Sequence, residues 1–318
     1  MTVAHMRVLV VGAGVTGLTV GVRLAQEGHD VHLFARELPL ETTSAVAAAL
    51  WYPYRAYPFE LVLQWSAHSL DVFTELASSQ PAAGVALRQG VELLRTPTPD
   101  PWWASAVPSL ARLTDVPHPY RDGWSFVAPV IEMPVYLRWL QATLESLGGT
   151  VTRMALAELP NQAELVVNCS GLGARQLAHD PSVTPIRGQI IRLGQVGVDR
   201  WLLDGEGPTY VVPRSEDITV GGTDTEGEWS RSPDPLVADE ILSRAINLVP
   251  ELADAPILGH SVGLRPARNE IRLEEVSTSG GGRLIHCYGQ GGAGVTVSWG
   301  CAGAVLDLVA EASSEAVP

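Results

Sequence analysis

Short apolar runs that end in glycine recur at the beginning, middle and end of this chain. Val8-Leu9-Val10-Val11 passes directly into Gly12-Ala13-Gly14-Val15-Thr16-Gly17, and from Leu18 to Gln26 the spacing of apolar positions becomes that of a helix, which Gly28 ends. Val31-His32-Leu33-Phe34 follows as a second strand and completes a β-α-β unit. Later, Leu165-Val166-Val167-Asn168 enters Cys169-Ser170-Gly171-Leu172-Gly173. The run Arg283 to Tyr288 enters Gly289-Gln290-Gly291-Gly292-Ala293-Gly294, ahead of an apolar helix from about Val295 to Val309. These are the signals of parallel strands. Between them lie two helical patterns, Leu61 to Leu76 with Leu63, Leu70, Phe73 and Leu76 on one face, and Val135 to Leu147 closed by Gly148-Gly149. Gln189 to Leu193, Thr209 to Pro213 and Ile218 to Gly221 predict short strands of an antiparallel sheet. Pro97 to Pro119, with Pro101-Trp102-Trp103, predicts irregular surface structure in a second lobe.

The glycine spacing after the first strand carries chemistry. In G-x-G-x-x-G, Gly12 permits the tight turn, Gly14 lets the backbone approach a pyrophosphate, and Gly17 lets helix and strand pack closely. A glycine turn in some other α/β protein is the competing reading. An acid near the end of the second strand should bind the ribose hydroxyls; the chain there reads Ala35-Arg36-Glu37, which makes Glu37 the candidate. After the polar loop Leu38 to Ser44, the small residues from Ala45 to Leu50 suit either close approach to a flat ligand or simple helix packing. The second glycine-rich helix start, Gly289 to Gly294, favours FAD over NAD, because a helix N-terminus stabilises the anionic reduced flavin and a nicotinamide makes no such demand. In Gly263-Leu264-Arg265-Pro266, Arg265 stands where the backbone is restrained and can hold a carboxylate through two hydrogen bonds, although for an arginine taken in isolation a structural salt bridge is the stronger reading.

Composition narrows the classes further. At 318 residues the chain is long enough for two lobes, and a net charge of −14 argues against nucleic acid or an anionic membrane as partner. Every Lys/Arg position is arginine, which removes lysine Schiff-base and lysine general-base mechanisms. Cys169, Cys287 and Cys301 lack metal-ligand spacing and a C-x-x-C pair, so buried free thiols are expected, and the scattered histidines suggest no metal site. No apolar run reaches membrane-spanning length, and Met1 to His5, to which no function is assigned, lack the features of a signal peptide; a reducing cytoplasm is the expected location.

Gly12 to Gly17, Ala47-Ala48-Ala49-Leu50-Trp51 with Pro53-Tyr54, Asn168 to Gly171, Arg187-Gly188-Gln189-Ile190-Ile191, Gly221-Gly222-Thr223, Gly263 to Pro266 with Arg272-Leu273-Glu274, and His286 to Gly300 together resemble the D-amino-acid oxidase family, in order along nearly the whole chain. Tyr288-Gly289-x-Gly291-Gly292-x-Gly294-x-Thr296 is the most specific stretch. The resemblance implies an α/β fold with α+β elements, in which a Rossmann-like FAD-binding domain (6–56, 130–187 and 264–314) is interleaved with an antiparallel-sheet substrate domain (57–129 and 188–263). It implies non-covalent FAD, held by Gly12, Ala13, Gly14, Val15, Thr16, Gly17, Arg36, Glu37, Thr42, Thr43, Ser44, Ala49, Leu50, Gly171 and the run Gly289, Gln290, Gly291, Gly292, Ala293, Gly294, Val295, Thr296.

On the substrate side, the resemblance makes Arg265 the partner of the carboxylate, Tyr210 a second contact to it, and the Gly292 carbonyl the acceptor for the amine, with Tyr54 lining the site. Arg187-Gly188-Gln189 joins the lobes. Fixing two substituents of Cα points the hydrogen of one enantiomer at flavin N5, so hydride transfer needs orientation more than acid–base chemistry. The implied reaction turns a D-amino acid, oxygen and water into a 2-oxo acid, ammonia and hydrogen peroxide. Some members carry an acid directly after the alanine that ends the second strand; this chain has Ala-Arg-acid, as others do. The loop before Tyr210 is short, and neither Glu206 nor its neighbours can supply the additional tyrosine that longer loops place over the site, so a more open site is expected. Asp224 follows Gly221-Gly222-Thr223 where members acting on D-aspartate have an arginine, so neutral or basic side chains are expected over acidic ones. Glycine or sarcosine oxidation, a D-amino-acid dehydrogenase and a non-catalytic flavin-binding sensor are the alternatives. A homodimer is compatible with the sequence.

Overall fold

A computed structural model describes residues 5–161, 163–278 and 281–315, the side chains of 312–315 excepted. Met1 to Ala4 lie outside the described residues. In chain order the elements are β1 (Arg7–Val11), α1 (Val15–Gln26), β2 (Asp30–Ala35), α2 (Thr43–Val46), α3 (Phe59–Ser79), β3 (Val85–Leu94), β4 (Ala111–Arg112) and β5 (Asp122–Ile131). Then follow α4 (Met133–Ser146), β6 (Thr150–Arg153), β7 (Leu165–Asn168), α5 (Ala174–Leu177), β8 (Thr184–Gly194), β9 (Trp201–Asp204), β10 (Tyr210–Pro213) and β11 (Asp217–Gly221). The last are β12 (Thr225–Glu226), α6 (Pro235–Leu248), β13 (Ile257–Ser277), β14 (Arg283–Gln290) and α7 (Ser298–Glu315).

The four predicted apolar strands lie side by side. One block of the sheet runs β14-β7-β1-β2-β6, entirely parallel, with Val8 opposite both Val31 and Leu165. Helix α1 packs between α4 and α7 and buries Leu18, Val20, Val22 and Leu24. Gly17 makes the close fit of α1 on β1 compulsory: a Cβ there would lie 2.0 Å from the Gly12 carbonyl oxygen. Gly12 itself has φ +113°, a backbone conformation that a side chain resists.

The rest of the sheet continues from β14 through β13-β8-β11-β10-β9 as antiparallel pairs. β3 then joins β9 in parallel, and β5 and β4 follow. Helix α6 closes a second core, with Ile241 and Ala245 packed among Ile191, Val211, Ile218 and Val220.

Several elements depart from the sequence expectations. Helix α3 begins at Phe59, and of its predicted face Leu70, Phe73 and Leu76 are buried whereas Leu63 is half-buried. β14 continues to Gln290 and α7 begins only at Ser298, because residues 291–297 form turns where an apolar helix was expected from Val295. The segment from Pro97 to Pro119 is mostly irregular, but not simply surface. Trp103 is 2% exposed and packs its ring against Trp51, Tyr52 and Phe126, since an indole this large is stable only when the lobe closes around it. Among the described residues no helix is long and apolar enough to cross a membrane, and no cluster of side chains has the makings of a metal site. Cys169, Cys287 and Cys301 are free and buried, as expected.

Candidate active site

The carboxyl ends of β1 and β7, the start of α1 and the mouth of the antiparallel block enclose a cavity of about 440 Å³. Most of the sequence-selected residues meet there. Gly12 to Thr16, Arg36, Glu37, Thr42 to Ser44, Ala49, Leu50, Gly171, Gln290 to Gly292 and Gly294 to Thr296 line it, together with Tyr54, Tyr210 and Arg265. Gly17, Gly289 and Ala293 do not. Gly17 is spent on the contact between α1 and β1, Gly289 turns the chain at φ +87° beneath the Arg268 side chain, and Ala293 is buried in the main core. Their effect on a ligand passes through the backbone they shape.

Hydrogen bonds between distant segments hold the cavity wall. The Val15 amide at the start of α1 donates to Ser44 Oγ at 3.0 Å, and Thr43 Oγ1 donates to the Leu264 carbonyl at 3.1 Å. The one-turn helix α2 is thereby pinned to both the glycine turn and the strand that carries Arg265. Thr296 Oγ1 accepts from the Tyr52 amide at 3.1 Å and donates to the Tyr52 carbonyl at 3.0 Å. Ala47 to Leu50 form no helix, and Ala49 has φ +58°, so the small side chains serve close approach to the cavity rather than helix packing. Glu37 lines the cavity and accepts from Arg231 Nη1 at 2.8 Å.

The arginine and the tyrosine converge on the other side. Gly188 on β8 stands opposite Gly263 on β13, and the Arg265 guanidinium lies flat over Gly188: a Cβ there would sit 2.5 Å from Nη2 and 2.6 Å from Cζ. Arg265 Nη1 donates to the Thr223 carbonyl at 2.9 Å. Among the described residues no carboxylate pairs with it, which disposes of the structural salt bridge. Tyr210 packs its ring onto Gly221 and Gly222, where a Cβ at Gly221 would lie 2.2 Å from Cζ. Burial pushes the Tyr210 hydroxyl up, and the adjacent Arg265 charge pulls it back. The result is a neutral hydroxyl beside a free cation, an arrangement suited to one carboxylate.

One further group was not anticipated. Glu92 on β3 is 6% exposed, lines the cavity and accepts from the Tyr52 hydroxyl at 2.8 Å. Burial pushes its carboxyl above the ordinary range, only partly offset by the Tyr52 bond. It escaped notice because β3 itself was not expected. Asp224, by contrast, stands outside the cavity lining: Tyr54 Oη donates to it at 3.3 Å and Arg55 approaches it at 3.7 Å. The loop before Tyr210 contributes Gly205, Gly207, Pro208 and Thr209 to the wall, while Glu206 turns away to accept from the Arg95 amide at 2.9 Å.

The family profile described as DAO, FAD dependent oxidoreductase, matches residues 7–308. The chain is 50% identical to a D-amino-acid oxidase of Rubrobacter xylanophilus over 97% of each chain. It is 38% identical to the D-aspartate oxidase of Homo sapiens over 96% of this chain and 95% of that one. Among solved structures, the glycine oxidase of Geobacillus kaustophilus superposes with a TM-score of 0.83 and 21% identity, covering 96% of this chain and 95% of that one, a likeness of fold alone.

Proposed function

Because this chain belongs to the DAO family of FAD-dependent oxidoreductases, we propose that it is an oxidase that deaminates D-amino acids. The observation that supports this most is Arg265, a guanidinium in the cavity with no carboxylate partner among the described residues, beside the Tyr210 hydroxyl. A substrate carboxylate completes that arrangement with two parallel hydrogen bonds.

The cavity is of ordinary ligand-site size, and its lining of glycine turns, small side chains and a helix N-terminus has the character that FAD requires. We assign the glycine turn Gly12 to Thr16 at the N-terminus of α1 to the pyrophosphate, Glu37 to the ribose hydroxyls, and Thr42 to Ser44, Ala49, Leu50, Gly171 and the turns from Gln290 to Thr296 to the remainder. Residues 6–56, 130–187 and 264–314 then form the nucleotide domain, and 57–129 and 188–263 the substrate domain. Bound FAD supplies a two-electron acceptor that oxygen regenerates, so that a D-amino acid, oxygen and water become a 2-oxo acid, ammonia and hydrogen peroxide.

The residues of the chain position and select. Arg265 and Tyr210 hold the carboxylate, the Gly292 carbonyl accepts from the amine, and Tyr54 closes the side of the site. With two substituents of Cα fixed, only one enantiomer presents its hydrogen to the cofactor side. No basic side chain is required for this step, in keeping with a chain without lysine. The buried free thiols fit a reducing compartment.

Anaerobic addition of D- and L-amino acids to the FAD-loaded protein tests the reading. Loss of flavin absorbance with D-amino acids only, followed by peroxide formation in air, is the expected result. No loss with any D-amino acid points to a sensor, loss without peroxide to a dehydrogenase, and a response confined to glycine and sarcosine to the other oxidase class.

A further inference from the structure

We propose that Glu92 selects substrates by their side chains, receiving long D-amino acids that end in a cation, of which D-arginine and D-lysine are the type. The proposal rests on the oxidase reading above. It begins with strand register. Glu92 on β3 is paired with Leu203 on β9, and Leu203 with Tyr210 on β10. Directly paired residues project to the same face of a sheet, and neighbouring strands lie about 4.8 Å apart, so Glu92 and Tyr210 share one face at a separation of about 10 Å. All three residues line the cavity. A stem of three or four methylenes can therefore lie over Leu203 while its two ends reach opposite sides of the site.

The chemistry at the far end is unbalanced without a ligand. Glu92 is 6% exposed, and among the described residues its side chain has one hydrogen-bond partner, the Tyr52 hydroxyl, and no arginine within ion-pair distance. The other two acids in the cavity wall are already satisfied: Glu37 has Arg231 Nη1 at 2.8 Å, and Asp204 has Arg95 Nη2 at 2.9 Å and the Tyr120 hydroxyl at 3.0 Å. A buried carboxyl without a cation is unfavourable, and leaving it so in a ligand cavity suggests that the ligand brings the cation. Gly205 keeps that end clear, since a Cβ there would come within 2.9 Å of Glu92 Oε1.

The test compares D-arginine with D-norleucine, which keeps the methylene stem and lacks the charge, using the FAD-loaded enzyme. The wild type is expected to have a kcat/KM at least tenfold higher for D-arginine, and Glu92→Gln is expected to reduce the ratio of the two at least tenfold. Tyr52→Phe, which removes the one internal partner, is expected to preserve the preference for D-arginine. A wild-type ratio below one, or a ratio that Glu92→Gln leaves within threefold of the wild type, overturns the proposal. Equal loss for both substrates also overturns it, because Glu92 would then be a structural acid only. Should Glu92→Gln fail to load FAD, the wild-type ratio alone decides. No turnover of any D-amino acid, D-norleucine included, defeats the oxidase reading instead.

Discussion

Gly188→Ala tests the carboxylate clamp without touching the substrate. The added Cβ would lie 2.5 Å from Arg265 Nη2 and 2.6 Å from Nη1 and Cζ, so the guanidinium cannot stay where it is. Comfortable contact between such atoms begins near about 3.5 Å, which demands a displacement of about 1 Å. The fold can absorb this, because the obstructing atoms are the free end of a flexible side chain and φ at Gly188 is not positive. The clamp cannot. A misplacement of about 1 Å in a positioning group costs about 100-fold in rate, or about 2.7 kcal/mol of transition-state stabilisation. We therefore expect kcat/KM for the best D-amino acid to fall about 100-fold, with FAD content unchanged and Tm within about 3 °C of the wild type. Steady-state kinetics, the flavin-to-protein absorbance ratio and thermal unfolding measure the three quantities. Full activity in a correctly folded, FAD-loaded Gly188→Ala protein would refute the clamp, since the guanidinium would have moved without consequence.

Arg265→Ala should lower kcat/KM by about 10²- to 10⁴-fold, the worth of two charged hydrogen bonds at about 1.5–3 kcal/mol each; a loss below tenfold would remove Arg265 from the site. Gly17→Ala forces α1 away from β1, because its Cβ would meet the Gly12 carbonyl at 2.0 Å. The purified variant should carry little FAD, and a full complement of flavin would count against the glycine turn as the pyrophosphate site. Stability should fall in acid through His286, whose ring burial, and secondarily the Arg272 charge, hold neutral with a pKa of about 4 against 6.5 for the unfolded chain. The folded state binds fewer protons in that window, so its contribution is complete above pH 6.5, declines as the pH falls and reaches a deficit of about 3 kcal/mol below pH 4. Urea midpoints at pH 7 and pH 4.5 should differ less in His286→Gln than in the wild type, and equal differences would exclude His286 as the source.

The parallel block was legible in the sequence because β1 and β7 at its centre are near-continuous apolar runs, a pattern that burial on both faces imposes. The glycine spacing was legible for a local reason: Gly17 answers to the Gly12 carbonyl only a few residues away, and Gly12 to its own positive φ, although a Cβ at Gly12 would also meet the distant Cys169 carbonyl. The antiparallel block was harder. β13 was hidden by Gly263 and Pro266, residues that normally argue against a strand. Pro266 is accommodated because it faces Pro185 across β8, while its carbonyl accepts from the Gly291 amide at 2.9 Å. β3 was hidden by Gly90, which exists to make room for Trp201: a Cβ there would lie 2.0 Å from the indole. In both strands the signal in the chain answers to a partner more than a hundred residues away or to a strand crossing, and no local period records it. The loss mattered for the site, because Glu92 lies on β3. Asp224 stood beside a recognisable motif and was chosen as the acid that discriminates side chains, yet it faces Tyr54 and Arg55 outside the cavity wall.

The position of Arg265 follows from how the two blocks of the sheet are joined. β13 pairs with β8 from Ile257 to Ala267 and, past an irregularity after Ala267, with β14 from Arg272 to Ser277. One strand thus pairs within the antiparallel block at one end and borders the parallel block, through β14, at the other. Arg265 sits just before the change of partner, and Thr43 clasps its neighbour Leu264 from the cofactor side. β14 then runs back along β13 and delivers Gln290 to Gly292 to the same cavity, where the Gly291 amide is hydrogen-bonded to Pro266. The cation proposed to orient a carboxylate and the Gly292 carbonyl proposed to orient an amine are therefore tied to one another through a single hydrogen bond and a short length of paired strand. Motion between the lobes would have to break that ladder before it could change the distance between them. On the proposed reading, selectivity for one enantiomer depends on that distance, which the pairing of β13 with β14 and the hydrogen bond from the Gly291 amide to Pro266 hold.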